Sequence, residues 1–181
     1  MSRAGPPAAA AALTALTALT AIAATAGLIV QLTPGSATAL REQLAFAFAR
    51  QPADLQGAAG LALNNFKVCA LALTGAAAQL LYATSPRPRT ATRWVFDTVL
   101  GVAYLVNAAQ FGVALGAYGT RLLAWIPHVP LELCALAISA GAYLAARQRQ
   151  LTARQLCGSA AIAGLLVIAA AIVETWAVPH R

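Results

Sequence analysis

Long apolar runs separated by short polar segments dominate this 181-residue chain. A transmembrane helix needs about 20 apolar residues, within a range of roughly 17–25. Five runs have that length and predict membrane-spanning helices, at about 7–32, 57–82, 94–118, 130–146 and 156–173. The pattern therefore predicts an all-α integral membrane protein that forms a single polytopic domain over residues 1–181.

The segment at about 36–50 has a different pattern. Apolar residues recur there every four positions, at Leu40, Leu44 and Phe48, and charged residues supply a polar face, at Arg41, Glu42 and Arg50. This amphipathic stretch is too polar to span a membrane. We predict that it forms a helix lying along the membrane surface.

The first apolar run leaves two interpretations. Its start, with Arg3 and a later Ala24-Thr25-Ala26 triplet, resembles a cleaved signal peptide. The apolar run continues through Leu28-Ile29-Val30, however, which favours a retained anchor. The Ala-Leu-Thr repeat at 12–20 fits a membrane helix, because each threonine hydroxyl can bond back to a carbonyl one turn earlier.

Composition narrows the class of protein. Apolar residues make up 60% of the chain and charged residues only 9%, whereas soluble domains have about 45–50% and 25%. This excludes a soluble domain, a disordered chain and a coiled coil. The net charge of +7 comes from scattered basic residues rather than one basic stripe, so nucleic-acid binding is excluded as well. Three cysteines without a CxxC pair argue against a disulfide framework.

The basic residues predict an orientation. With the N-terminus in the cytoplasm, both short basic loops lie inside, and seven arginines are inside against four outside. This distribution follows the positive-inside tendency. The three tryptophans fall at span ends, where indole rings favour the membrane interface: Trp94, Trp125 and Trp176.

We single out seven of the polar residues that lie within the apolar runs or at their ends. An ionisable side chain in a span costs about 2.5–3.5 kcal/mol on insertion scales, so it usually has a partner or a task. The predicted orientation places them toward the outer side: Asn64, Asn65 and Lys67 in the second span, Asn107 and Gln110 in the third, and His128 and Glu132 at the start of the fourth.

His128 and Glu132 are four residues apart, so a helix presents them on one face. A glutamate next to a histidine is suited to general acid/base chemistry, and nearby asparagines can donate hydrogen bonds to a peptide carbonyl or an oxyanion. Structural interpretations stay open: His128 as an interfacial hydrogen-bonding residue, Lys67 and Glu132 as a neutralising pair, and Asn107 as a helix–helix contact.

No metal or other cofactor is predicted. His128 and Glu132 offer only two ligands, and neither an HExxH motif nor a cysteine pair completes a tetrahedral set. A GxSxG nucleophile elbow is also absent from the sequence. Asp97 and Glu174 are predicted to lie at opposite interfaces, solvated or paired with nearby arginines.

Three segments carry a family resemblance: Asn64-Asn65-Phe66-Lys67-Val68, Asn107 with Gly112 and Gly116, and Ile126-Pro127-His128-Val129-Pro130-Leu131-Glu132-Leu133. They resemble the paired-Asn span opening, the middle span with Asn and Gly, and the Pro-His-x-x-x-Glu segment of the stage II sporulation protein M family. The resemblance covers about 64–146. Val129 and Pro130 depart from the family pattern, which often has Gly and then an aliphatic residue there.

The resemblance implies an all-helical polytopic protein of the bacterial cytoplasmic membrane. Some members act in sporulation, with soluble hydrolases that remodel septal peptidoglycan. Others resemble the membrane component encoded with circular bacteriocins, which are peptides that lose a leader and are joined head to tail.

Two classes of function follow. The first is a peptide-processing enzyme or peptide cyclase in the membrane, with Glu132 and His128 as the catalytic pair and five substrate-binding residues: Asn64, Asn65, Lys67, Asn107 and Gln110. The alternative is a membrane scaffold for cell-wall remodelling or sporulation partners, or an export or immunity component. The expected partners are membrane lipid, with a hydrophobic precursor peptide or other membrane proteins, and a homo-oligomer is compatible with both classes.

Overall fold

The structure, a computed structural model, describes residues 7–44, 54–83, 90–119 and 127–177. These residues form six α-helices and no strand: α1 (Pro7–Leu32), α2 (Ser36–Leu44), α3 (Leu55–Ala83), α4 (Thr90–Tyr118), α5 (Val129–Arg147) and α6 (Ala153–Ala177). All except α2 are long and apolar enough to cross a membrane. The all-α prediction is confirmed, and the five long helices indicate a multi-pass membrane protein.

The helix bounds lie close to the predicted ones, with one difference that affects the site. Helix α6 continues through Glu174 and Trp176, which we had placed after the fifth span. Hydropathy marks only the apolar part of a helix, so it misses a last turn that carries polar residues. The predicted surface helix is described as far as Leu44, and its part at 45–50 lies outside the described residues, as do Trp125 and His180.

Helix α5 lies at the centre of the bundle, packed against α1, α3 and α6. Its buried face consists mostly of small residues, among them Ala135, Ser139 and Ala142, which are fully buried. Large apolar side chains point outward instead, including Leu81 and Leu165, which are 73% and 67% exposed. An exterior this apolar is unsuited to water and matches contact with lipid.

Helices α1 and α4 cross at close range through small residues. A Cβ atom on Gly112 would overlap the carbonyl oxygen of Ala23, and one on Gly116 would lie 3.0 Å from the Cα of Gly27. Small residues four apart on both helices allow such an approach in membranes. Helix α5 also contacts α1 closely, because a Cβ on Gly141 would lie 2.8 Å from the Cα of Ala12.

The Ala-Leu-Thr repeat behaves as predicted within α1. The hydroxyls of its three threonines donate to carbonyl oxygens one turn earlier, at 2.9–3.0 Å, from Thr14, Thr17 and Thr20. These bonds satisfy each hydroxyl inside its own helix, so the exposed threonines need no polar partner in the membrane.

One end of the bundle is fastened by a polar group of three residues. Arg147 on α5 donates from Nη2 to Oδ2 of Asp97 on α4 at 3.0 Å, and the Tyr143 hydroxyl donates to Asp97 Oδ1 at 2.6 Å. The prediction that Asp97 pairs with an arginine is therefore confirmed. We call this end of the bundle the Asp97 end.

We expect Asp97→Asn to lower the free energy of unfolding by about 1 kcal/mol, because Arg147 loses its carboxylate while both side chains are a third or more exposed to screening. Thermal unfolding in mild detergent measures this loss. In a double-mutant cycle, Arg147→Gln on top of Asp97→Asn should cost less than Arg147→Gln alone. Arg154→Gln, at an exposed position, is the control, and fully additive losses would contradict the pairing.

Candidate functional site

A group of polar side chains occupies the opposite end of the bundle, where α5 begins, α6 ends and the first half of α3 lies alongside. We call Asn65, His128, Glu132 and Glu174 the polar cluster. Asn65 contacts Glu132 and His128 lies near Glu174, so the geometry of the cluster depends on how α3 and α6 pack against α5.

The start of α5 places two members of the cluster. His128 is the N-cap residue but has helical backbone angles, and the Glu132 N–H donates to its carbonyl oxygen at 3.2 Å. The two side chains therefore lie one turn apart on the same face, as their spacing predicted. Pro130 in the first turn costs little, because a backbone N–H has no helical acceptor there.

Helix α3 supplies the third member. Nδ2 of Asn65 donates a hydrogen bond to Oε1 of Glu132. Lys67 does not form the predicted pair with Glu132: its Nζ lies 3.4 Å from Oδ1 of Asn64, and its side chain is exposed. Residues two apart on a helix point about 200° apart, so Asn65 and Lys67 cannot both reach Glu132, although both border the cavity described below.

Glu174 is the member that we did not predict. Its Oε2 lies 3.8 Å from Nε2 of His128, and the ion pairs among the described residues give it no arginine partner. The chain order contained a signal for this: with five spans, the end of the fifth lies on the same side of the membrane as the start of the fourth. Ligand atoms of His128, Glu132 and Glu174 all lie within 4.8 Å of one another.

The cluster is largely shielded from solvent. The side chains of His128 and Glu174 are 12% and 27% exposed. Burial lowers the pKa of His128 below its usual value. Among the ion pairs of the described residues, none joins Glu132 or Glu174 to a lysine or an arginine.

A cavity of about 230 Å³ adjoins the cluster. Five of the seven predicted site residues line it: Asn64, Asn65, Lys67, Asn107 and Glu132. Asn107 borders the cavity, and its Nδ2 donates to the carbonyl oxygen of Ala103 in its own helix at 2.8 Å. Gln110 is exposed and is not among the lining residues.

The size of the cavity limits what it can hold. It has room for several water molecules but is smaller than typical small-molecule sites of about 300–1,000 Å³. A bound peptide would therefore place a short segment beside Glu132 and leave its remaining length in the membrane or in solvent.

The three cysteines are all free, and they differ in exposure. Cys69 is buried beside the cavity, Cys134 is half-buried and Cys157 is exposed on α6. This agrees with the expectation that the cysteines do not form a disulfide framework.

Comparison with protein-family models, with curated proteins and with solved structures finds no match for this chain.

Proposed function

We propose that this chain is a membrane enzyme that cleaves a hydrophobic peptide within the bilayer, with Glu132 as the general acid/base. The observation that supports this most strongly is the position of the Glu132 carboxylate. It is held by Asn65 and lines a cavity that four other polar residues border, inside a bundle with an apolar exterior. A buried carboxylate costs free energy in such a place, so it usually serves a task.

The proposed reaction is hydrolysis of one peptide bond. Glu132 takes a proton from a water molecule in the cavity, and the resulting hydroxide adds to the peptide carbonyl carbon. The C–N bond then breaks, and Glu132 returns the proton to the departing amine. One water molecule is consumed, and a carboxylic acid and an amine are formed.

The neighbouring residues have supporting roles in this proposal. Asn65 is a positioning residue, because its bond to Oε1 of Glu132 leaves Oε2 free for the water. Asn64, Asn107 and Lys67 line the cavity, and we assign the two asparagines to donate to the peptide carbonyl and Lys67 to bind a peptide carboxylate. Hydrophobic substrates suit the site because they partition into the same bilayer as the bundle.

The family resemblance and the basic loops complete the proposal. They favour the bacterial cytoplasmic membrane with the N-terminus inside, which puts the polar cluster at the outer side. A leader peptide cleaved there, as in circular bacteriocin maturation, is the type of substrate that the resemblance favours.

The test uses purified protein in liposomes and a short hydrophobic precursor peptide encoded beside its gene, with mass spectrometry of the products. We expect the wild type to cleave the peptide, and Glu132→Gln to lower the rate by about 10²–10⁴-fold, the usual contribution of a general acid/base. His128→Ala should also lower it. Glu42→Gln is the matched control, since Glu42 is an exposed glutamate on α2 and should leave the rate unchanged.

Equal cleavage by the wild type and Glu132→Gln, at equal membrane levels, would contradict the proposal. The scaffold alternative predicts a different result. Peptide cleavage would be absent from every variant, and Glu132→Gln would instead lose a protein that co-purifies with the wild type.

A further inference from the structure

We infer that His128, Glu132 and Glu174 form a binding site for a divalent metal ion. The role of this ion as a cofactor of the cleavage reaction rests on the proposed function. Metal binding itself is measured without activity, so the two can fail separately.

The donor set is the first argument. One imidazole and two carboxylates are the nitrogen and oxygen ligands that Zn²⁺ accepts, and catalytic zinc sites commonly have three protein ligands with a fourth position left to water. His128 and Glu132 come from adjacent turns of α5, and Glu174 comes from α6. We predicted no metal because the sequence offered two ligands; the packing of α6 on α5 adds the third.

The distances are the second argument. The three ligand atoms lie within 4.8 Å of one another, and the pair from His128 and Glu174 is 3.8 Å apart. Zinc bonds of about 2.0–2.2 Å separate two tetrahedral ligands by about 3.4 Å. Side-chain shifts of roughly an ångström therefore close the three atoms around an ion.

The hydrogen bonding of His128 is the third argument, independent of the first two. Its Nδ1 is buried without a hydrogen-bond partner among the described residues, and its Nε2 is too far from Glu174, at 3.8 Å, for a hydrogen bond. Buried polar atoms in proteins are nearly always paired. A metal ion between His128 and Glu174 would give Nε2 a bond that it lacks in the structure.

The charges are the fourth argument. Two carboxylates face each other in an apolar bundle, and the ion pairs of the described residues give neither of them a lysine or arginine. A divalent cation balances both. Asn65 then acts as the outer residue that orients a ligating carboxylate through its hydrogen bond to Glu132, an arrangement that metal sites usually contain.

The ion refines the proposed reaction. An ion held by His128, Glu132 and Glu174 would lower the pKa of a bound water, so Glu132 would support water activation as one of its ligands. Glu174 distinguishes the two forms of the reaction, because it is needed as a ligand and is not needed for a general base at Glu132.

The experiment measures metal directly. Five proteins are purified in detergent through a tag without histidine: the wild type, His128→Ala, Glu132→Gln, Glu174→Gln and the Glu42→Gln control. Each is titrated with ZnCl₂ and, separately, with MnCl₂. We expect the wild type and Glu42→Gln to bind one ion per chain. Each of the three ligand variants should bind at least ten-fold more weakly, while eluting from size-exclusion chromatography as the wild type does.

A second measurement needs no variant. The melting temperature of the wild type should rise with added metal and fall when EDTA removes it, since a ligand of the native state stabilises it. Binding of both ions no stronger than in a His128/Glu132/Glu174 triple variant, with no change in melting temperature, overturns the inference. Peptide cleavage that persists in EDTA overturns the role in catalysis and leaves the proposed function standing. Metal binding without any cleavage supports the site and overturns the proposed function.

Discussion

Gly112→Leu should leave almost no folded protein in the membrane. A Cβ atom at this position would overlap the carbonyl oxygen of Ala23, and its neighbouring contacts are also to α1 backbone. A backbone held in a helix cannot rotate aside as a side chain does, so α4 must separate from α1. Overpacking typically costs 1–3 kcal/mol, occasionally more. Because the leucine meets backbone, we expect Gly112→Leu to lower the free energy of unfolding by about 3 kcal/mol or more.

The measurement is the fraction of expressed protein that elutes as a single species in mild detergent, followed by thermal unfolding. Gly101→Leu is the matched control, because Gly101 lies on the same helix and a Cβ there meets nothing within 4 Å. It should fold nearly as well as the wild type. Equal losses from the two leucines would contradict the close crossing of α4 with α1, since only Gly112 meets the α1 backbone.

Gly141→Leu is expected to be nearly as damaging, at a different contact. A Cβ on Gly141 would lie 2.6 Å from the backbone nitrogen of Ala12 and 2.8 Å from its Cα. The leucine therefore forces α5 away from α1. Since α5 also carries His128 and Glu132, any protein that still folds should have a displaced polar cluster and reduced metal binding.

Substitutions at two other glycines should cost less stability. Gly158→Leu on α6 meets nothing within 4 Å and should be nearly neutral. Gly75→Ala meets ring atoms of Phe96 and Tyr143 at 3.0 Å, and those side chains can shift, so its loss of unfolding free energy should fall between the two. If Gly141→Leu melts at the same temperature as Gly158→Leu, α1 does not lie against α5 as described.

The helices themselves were predictable because a membrane span depends on little beyond length and hydropathy. The shared face of His128 and Glu132 was also predictable, since spacing on one helix sets it. The choice of Asn65 rather than Asn64 or Lys67 as the partner of Glu132 was not, because it depends on how far α3 is rotated about its axis. Hydropathy contains little information on that rotation when most faces of the helix are apolar.

Glu174 was missed for a different reason. We treated it as a flanking residue of the fifth span, although the topology itself places the end of that span beside the start of the fourth. The partners of the α4 glycines were hidden too. Gly112 and Gly116 contact Ala23 and Gly27, which lie in an alanine-rich helix where almost every position is small and none stands out.

The packing of α1 has a consequence for synthesis. Its contact face at Ala23 packs against Gly112, which is synthesised 89 residues later. At roughly 5–20 residues per second, the delay between the two is about 4–18 s. During that time α1 sits in lipid with its small-residue face uncovered, which costs little because alanine, glycine and self-bonded threonine are tolerated there. Among the described helices, α1 is made first and is among the last to be enclosed, and its composition suits that delay.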